Sequence, residues 1–227
     1  MIKLYNDDCL NILDKLPKDK NIIIVTDPPF NIGYHYNEYK DRMNESDYYK
    51  WLKDIFRHPF VCIHYPESLY RLALEINKIP QKVVSWVYNS NTAKQHRDIA
   101  FFDVKPNFNQ VKQPYKNPND KRIQQRIASG KGGARLYDWW NVNQVKNVSK
   151  EKTDHPCQMP LKVMENIVGI LPRDNLLVVD CFKGSGTTGL ACLKYDIDFI
   201  GIEQDKHYFE IAKERIENYG KGQQTLF

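Results

Sequence analysis

Two short segments concentrate the residues able to do chemistry. Asp27-Pro28-Pro29-Phe30 directly follows the apolar run Ile22-Ile23-Ile24-Val25, and Gly184-Ser185-Gly186-Thr187-Thr188-Gly189 follows a second such run, Leu176 to Val179. Each is a loop at the carboxyl end of an expected strand, which is where open α/β sheets place their ligands. Asp27 puts a carboxylate on a loop that two prolines stiffen. The later segment fits G-x-G-x-x-G between a strand and a helix, and Glu203 lies 19 residues beyond its first glycine, so read alone it suggests a dinucleotide. Its physical content is broader, because glycines let the backbone approach any ligand. A carboxylate at Glu203 accepts from any ribose, that of an adenosyl group included. The competing readings are a tight turn with a capping Asp and a core Phe for the first segment, and a solvated strand end for Glu203.

The two loops, taken with Asp180-Cys181-Phe182-Lys183 ahead of the glycines, resemble those of the S-adenosylmethionine-dependent amino-methyltransferases of DNA. The order matches the circularly permuted β group, in which the catalytic motif precedes the cofactor motif. This resemblance covers residues 1–90 and 154–219 and is nearly silent between them. It implies an α/β, Rossmann-like methyltransferase fold: a mostly parallel twisted sheet, helices on both faces and an irregular basic insertion. It also implies S-adenosylmethionine as methyl donor and a flipped base as acceptor. An initial Asp, where N4-cytosine enzymes carry Ser, implies the N6 amine of adenine; N4 of cytosine is the alternative.

An exocyclic amine delocalises its lone pair into the base, so methyl transfer requires that pair to be relocalised. In the resembled group a carboxylate and the first proline's carbonyl, here Asp27 and Pro28, hold the amino hydrogens. Pro29 stiffens the loop, and the aromatic, here Phe30, stacks on the extruded base. Such stacking is worth about 1–3 kcal/mol, which partly offsets extraction from the helix. The resemblance gives Asp180, Phe182, Gly184, Ser185, Gly186, Thr187 and Thr188 to the methionyl and ribose portions of the cofactor. Glu203 would hold the ribose hydroxyls, and Asp8 and Cys9 would lie near the adenine. His155-Pro156-Cys157-Gln158-Met159-Pro160 matches a His-Pro-x-Gln-x-Pro segment whose backbone and Gln158 contact the methionine end. On their residues alone, Asp8 reads equally as a helix cap and residues 155–160 as a rigid connector. His155 receives no general-base role, since geometry activates the amine. Lys183 departs from the small or apolar residue expected there; solvent, Glu203 and the DNA backbone are its three open partners.

Composition supports a nucleic-acid partner. The 227 residues carry a net charge of +5, yet Asn89 to Thr153 holds 13 Lys/Arg against 5 Asp/Glu, leaving the rest of the chain mildly acidic. Neutralising phosphates releases condensed counterions, so such a segment suits double-stranded DNA; the bland alternative is a solvated face. Within it Lys121, Arg122, Arg126, Lys131 and Arg135 are the candidates for phosphate or base-edge contacts. Trp139-Trp140 reads as core rather than as base support. Five scattered cysteines without a C-x-x-C pair support neither a disulfide framework nor a metal site. No apolar stretch approaches a membrane span, and the N-terminus lacks a signal pattern, so a cytoplasmic location is expected.

Positioning these loops requires alternating strands and helices. Periodicity predicts helices after Asp7-Asp8-Cys9, after Ser46, from Pro66, over Leu161–Ile170, over Thr187–Lys194 and over Tyr208–Tyr219. Strands are predicted at Ile22–Val25, Phe60–Tyr65, Lys82–Tyr88, Leu176–Val179 and Phe199–Glu203. Pro106, Pro114, Pro118 and Gly130-Lys131-Gly132-Gly133 mark an irregular stretch between Asn91 and Asp154. The expected layout is thus a catalytic half over 1–90, a target-recognition insertion over 91–153, a cofactor half over 154–219 and a flexible tail over 220–227. Within that tail Gln223, Leu226 and Phe227 resemble a sliding-clamp binding peptide, with fraying as the simpler reading; a homodimer is a further expectation from the family. A nicotinamide oxidoreductase would leave Asp27-Pro28-Pro29-Phe30 unexplained, and a catalytically silent DNA-binding protein would need a damaged motif.

Overall fold

The computed structural model describes residues 1–34 and 41–224. Its main sheet contains β1 (Ile2–Tyr5), β2 (Asn21–Thr26), β3 (Phe60–His64), β4 (Lys82–Val87), β5 (His96–Phe102), β8 (Trp139–Asn141), β9 (Leu176–Asp180) and β10 (Asp198–Ile202). Their order across the sheet is β1-β10-β9-β2-β3-β5-β4-β8, and β6 (Lys112–Gln113) pairs separately with β7 (Ala134–Arg135). Strands β1, β10, β9, β2 and β3 run parallel, whereas β5 is antiparallel to both β3 and β4.

The strands are apolar on both sides because both faces are covered. Ile23, Val25, Val61 and Ile63 enter one core with residues of α5 (Leu161–Gly169), α6 (Thr187–Lys194) and α7 (Lys206–Gln224). Ile22, Ile24, Phe60 and Cys62 enter the other with α1 (Cys9–Leu13), α2 (Glu45–Ile55) and α3 (Pro66–Ile76). Alternate side chains of a strand point to opposite faces, so continuous Ile/Val runs serve both layers at once. The sequence order reverses between β9 and β2, whose register pairs Ile24 with Val179. Both chemically loaded loops therefore leave neighbouring strands at one switch point, the crevice where such sheets bind ligands.

Several elements differ from expectation. The four-residue edge strand β1 was too short to register as a periodic pattern. Strand β5 lies inside the stretch expected to be irregular: its polar start, His96-Arg97-Asp98, conceals a fully buried end, Ile99 to Phe102. The main sheet thus extends past the boundary expected at residue 91. Helix α4 (Lys121–Ala128) also forms within the basic segment, where the Asp120 carboxylate accepts from the N–H groups of Arg122 and Ile123 at 2.8 and 3.3 Å. In β8, Trp140 is buried while Trp139 is 47% exposed, because adjacent strand residues face opposite ways; the core assignment holds for one of the pair. Helix α7 continues to Gln224, so the tail expected from residue 220 begins as helix, while Leu226 and Phe227 lie outside the described residues. Among those residues no helix is long and apolar enough to cross a membrane.

Candidate active site

A cavity of about 540 Å³ opens at the switch point and is lined from both motif loops and from the start of α1. Asp27, Pro28, Pro29 and Phe30 form one wall; Asp180, Phe182, Gly184, Ser185, Thr187 and Thr188 form another; Asp8, Cys9 and Glu203 complete it. Asp27 is only 16% exposed, and its Oδ1 is buried without a hydrogen-bond partner. Burial pushes its carboxyl up to about 7, against the pull of Arg97, while Asp180 raises it further. A carboxylate poised this way stabilises itself by accepting from an incoming N–H donor.

The proline loop is clamped from beneath. The Tyr48 hydroxyl on α2 donates to the Pro29 carbonyl at 2.6 Å and meets His64 Nε2 at 2.9 Å. His64 Nδ1 accepts from the Tyr65 N–H at 2.8 Å, and burial, then the Arg97 charge, lowers its pKa to about 3. The ring is therefore neutral with its proton on Nε2, so it donates to Tyr48, which donates to Pro29. Beyond the motif, Asp41 accepts from the N–H groups of Asn31, Ile32 and Tyr34 at 2.7, 3.1 and 3.0 Å. These bonds fix the loop's exit.

The glycine loop is held by charged side chains that also face the cavity. Asp180 accepts from Thr26 at 2.7 Å, from the Phe182 N–H at 3.1 Å and from Thr188 at 2.5 Å, which ties the ends of β2 and β9 together. Glu203 accepts from the N–H groups of Gly184 and Asp205 at 2.9 and 3.0 Å, and burial raises its pKa. Gly184 has φ +47°, and a Cβ there would lie 2.8 Å from His155 Nε2, so only glycine fits. From α7, one Arg215 nitrogen donates to Ser185 O, Ser185 Oγ and Thr187 Oγ1 at 3.0, 3.2 and 2.9 Å. Carboxylates suited to hydroxyl and amine donors, beside a cradle without side chains, fit an adenosyl cofactor.

Placement of the remaining expected residues is uneven. Asp8 caps α1, accepting from the Leu10 N–H at 2.9 Å, and also lines the cavity, so the two readings coexist. His155 lines the cavity as a neutral ring against Tyr208, its pKa lowered to about 4 by burial and then by Lys152. Gln158 does not reach the cavity: its amide accepts from Thr153 N–H and Oγ1 and donates to the Glu151 carbonyl, so it braces the loop. Gly186 adopts φ +78° at the N-cap of α6 and is not part of the lining either. Lys183 is buried, its ammonium 4.5 Å from the Phe209 ring, which removes the solvent alternative. Burial lowers its pKa to about 8, while Glu203 favours the charged form. Lys121, Arg122, Arg126, Lys131 and Arg135 are exposed and lie outside the cavity lining, the first three on α4. Arg97, His64, Tyr48 and Arg215 carried no motif, and only the partner geometry reveals them.

The fold and the paired loops define a Rossmann-like methyltransferase domain. A DNA methylase family match spans residues 22–214, and the chain belongs to that N6/N4 family. The type II methyltransferase M.HpaI of Haemophilus parainfluenzae is 26% identical over 97% of this chain and 76% of its own length. The DNA adenine methyltransferase YhdJ of Escherichia coli (strain K12) is 22% identical over 94% of this chain and 82% of its own. Among solved structures, the M1.HpyAVI–SAM complex aligns with a TM-score of 0.61 at 24% identity, over 95% of this chain and 100% of that one. The cytosine-N4-specific PvuII DNA methyltransferase aligns with a TM-score of 0.65 at 16% identity, over 97% and 91%.

Proposed function

We propose that this chain transfers a methyl group from S-adenosylmethionine to the N6 amine of an adenine drawn out of double-stranded DNA. The observation that carries the reading is the unpartnered, buried Oδ1 of Asp27, in one cavity with the glycine loop and Glu203. When bound, the cofactor supplies an electrophilic methyl group. Glu203, Asp8 and the backbone of residues 184–188 would hold it. Asp27 Oδ1 accepts one amino hydrogen and the Pro28 carbonyl the other, because the neighbouring Pro29 carbonyl is taken by Tyr48. Two acceptors in the base plane turn the nitrogen lone pair out of that plane. With a pKa near 7, Asp27 can also receive the proton that the methylated amine sheds.

The exposed cations of α4 and of residues 131–135 are assigned to the DNA backbone and groove edges, outside the reaction cavity. Asp as the first motif letter favours adenine, and N4 of cytosine is the second reading. Labelled-methyl transfer to genomic DNA, compared between wild type and Asp27→Ala, tests the assignment. Loss of label in the variant with cofactor binding intact is expected; absence of transfer by wild type that binds cofactor normally contradicts it.

A further inference from the structure

Phe30 has both faces covered. The His64 ring stacks on it with centroids 4.1 Å apart and planes 20° apart, and the Arg97 guanidinium carbon lies over the ring at 4.6 Å. The strand register places these two groups on opposite sides. His64 pairs with Asp98 across β3 and β5, so Arg97, the residue before Asp98, points to the other face of the sheet. The ring of Phe30 is thus sandwiched at the sheet's edge, and a base could stack on it only by displacing one of the two. His64 is the poor candidate, since both its nitrogens are engaged under the loop.

Arg97 is the opposite case. Its Nη1 lies 3.5 Å from Asp27 Oδ2, too long for a good hydrogen bond, and its Nε is buried without a partner. The nearby Asp27 Oδ1 is also unpartnered. A planar, N–H-bearing group therefore lies on Phe30 and beside Asp27, making in poor geometry the two contacts that an extruded amine-bearing base would make.

From this we infer that Arg97 is a placeholder for the target base and a determinant of base selectivity. This inference rests on the methyl-transfer reading above. A base with an exocyclic amine returns to Asp27 the donor, and to Phe30 the planar face, that they lose when Arg97 swings aside. A base bearing a carbonyl at that position returns the face but no donor, so it must break the Arg97–Asp27 pair without replacing it. Sites built to receive a donor reject analogues that lack one strongly, because buried acceptors are left unpaired. Arg97 extends this rejection, since a carbonyl-bearing base also has to compete with a cation that is already in place.

The test uses a duplex containing the recognition sequence, found by sequencing methylated DNA, with adenine or hypoxanthine at the target position. The measured quantity is the ratio of the two dissociation constants in the presence of a non-reactive cofactor analogue. Groove contacts away from the target position cancel when this ratio is compared between wild type and variant. Arg97→Met keeps the volume without the N–H donors; Arg97→Lys, which loses the plane, replaces it if the first does not fold. Cofactor calorimetry confirms that the site is intact. Wild type is expected to prefer adenine, and the folded variant to narrow the ratio by about tenfold, the scale of one lost discriminating contact. An unchanged or wider ratio, or a wild type indifferent to the substitution, overturns the inference. Failure of the underlying reading is separate: it shows as no methyl transfer by wild type to any DNA.

Discussion

Replacing Asp27 by Asn should abolish methyl transfer and also make stability less sensitive to pH. The carboxyl has a pKa of 3.8 in the unfolded chain and about 7 in the fold. Because the folded value is raised, the native state binds a proton more tightly, and its stability falls as pH rises from about 4 to about 7. At 1.36 kcal/mol per unit, the ionised group costs the fold about 4 kcal/mol once both states are ionised, and about half of that at pH 5.5. Asn carries no such charge. The loss of Arg97's partner in the variant is nearly independent of pH, since a guanidinium stays protonated throughout. The stability difference between variant and wild type should therefore move in the variant's favour by about 2 kcal/mol between pH 5.5 and 8.5. Urea unfolding at the two pH values measures it. A difference that stays constant with pH would refute the claim that Asp27 is a buried, destabilised carboxylate.

The same shift governs catalysis: Asp27 accepts only when ionised, so single-turnover transfer should fall about tenfold per pH unit below about 7 and level off above it; a flat profile from pH 5.5 to 8 excludes this role. Tyr48→Phe deletes the hydroxyl that orients the Pro29 carbonyl and should slow transfer about tenfold with cofactor affinity retained; calorimetry beside single-turnover kinetics separates the two effects. Gly184→Ala puts a methyl group against His155 at a left-handed position and should weaken cofactor binding at least about tenfold; titration with S-adenosylmethionine reads this directly. Thr188→Val leaves one oxygen of buried Asp180 without its donor and should lower stability by about 1–3 kcal/mol; an unfolding midpoint equal to wild type would show that the bond contributes nothing.

The loops themselves and the alternation that carries them were legible because their signals are local. Ile/Val runs ending in Asp-Pro-Pro or Asp-Cys-Phe-Lys-Gly, and capping or proline starts such as Pro66, depend on neighbours in sequence. What the sequence hid depends on partners far along the chain. Arg97 opens a strand whose first three residues are polar, and only the antiparallel pairing with β3 brings it over Phe30. Gln158 matched a motif, yet its three hydrogen bonds all turn inward to residues 151 and 153. Lys183 resisted prediction because its environment comes from Phe209 on α7 and from the end of β10. Helix α4 could not be inferred from an apolar stripe because it buries no residue; its capping Asp120 was the only local signal.

The central claim is that Asp27 receives the amino group of adenine. The most direct measurement is mass spectrometry of nucleosides from DNA methylated by purified protein, with wild type and Asp27→Ala compared. N6-methyladenine formed by wild type and missing with the variant is the predicted result. N4-methylcytosine as the product, or N6-methyladenine undiminished in the variant, would contradict it.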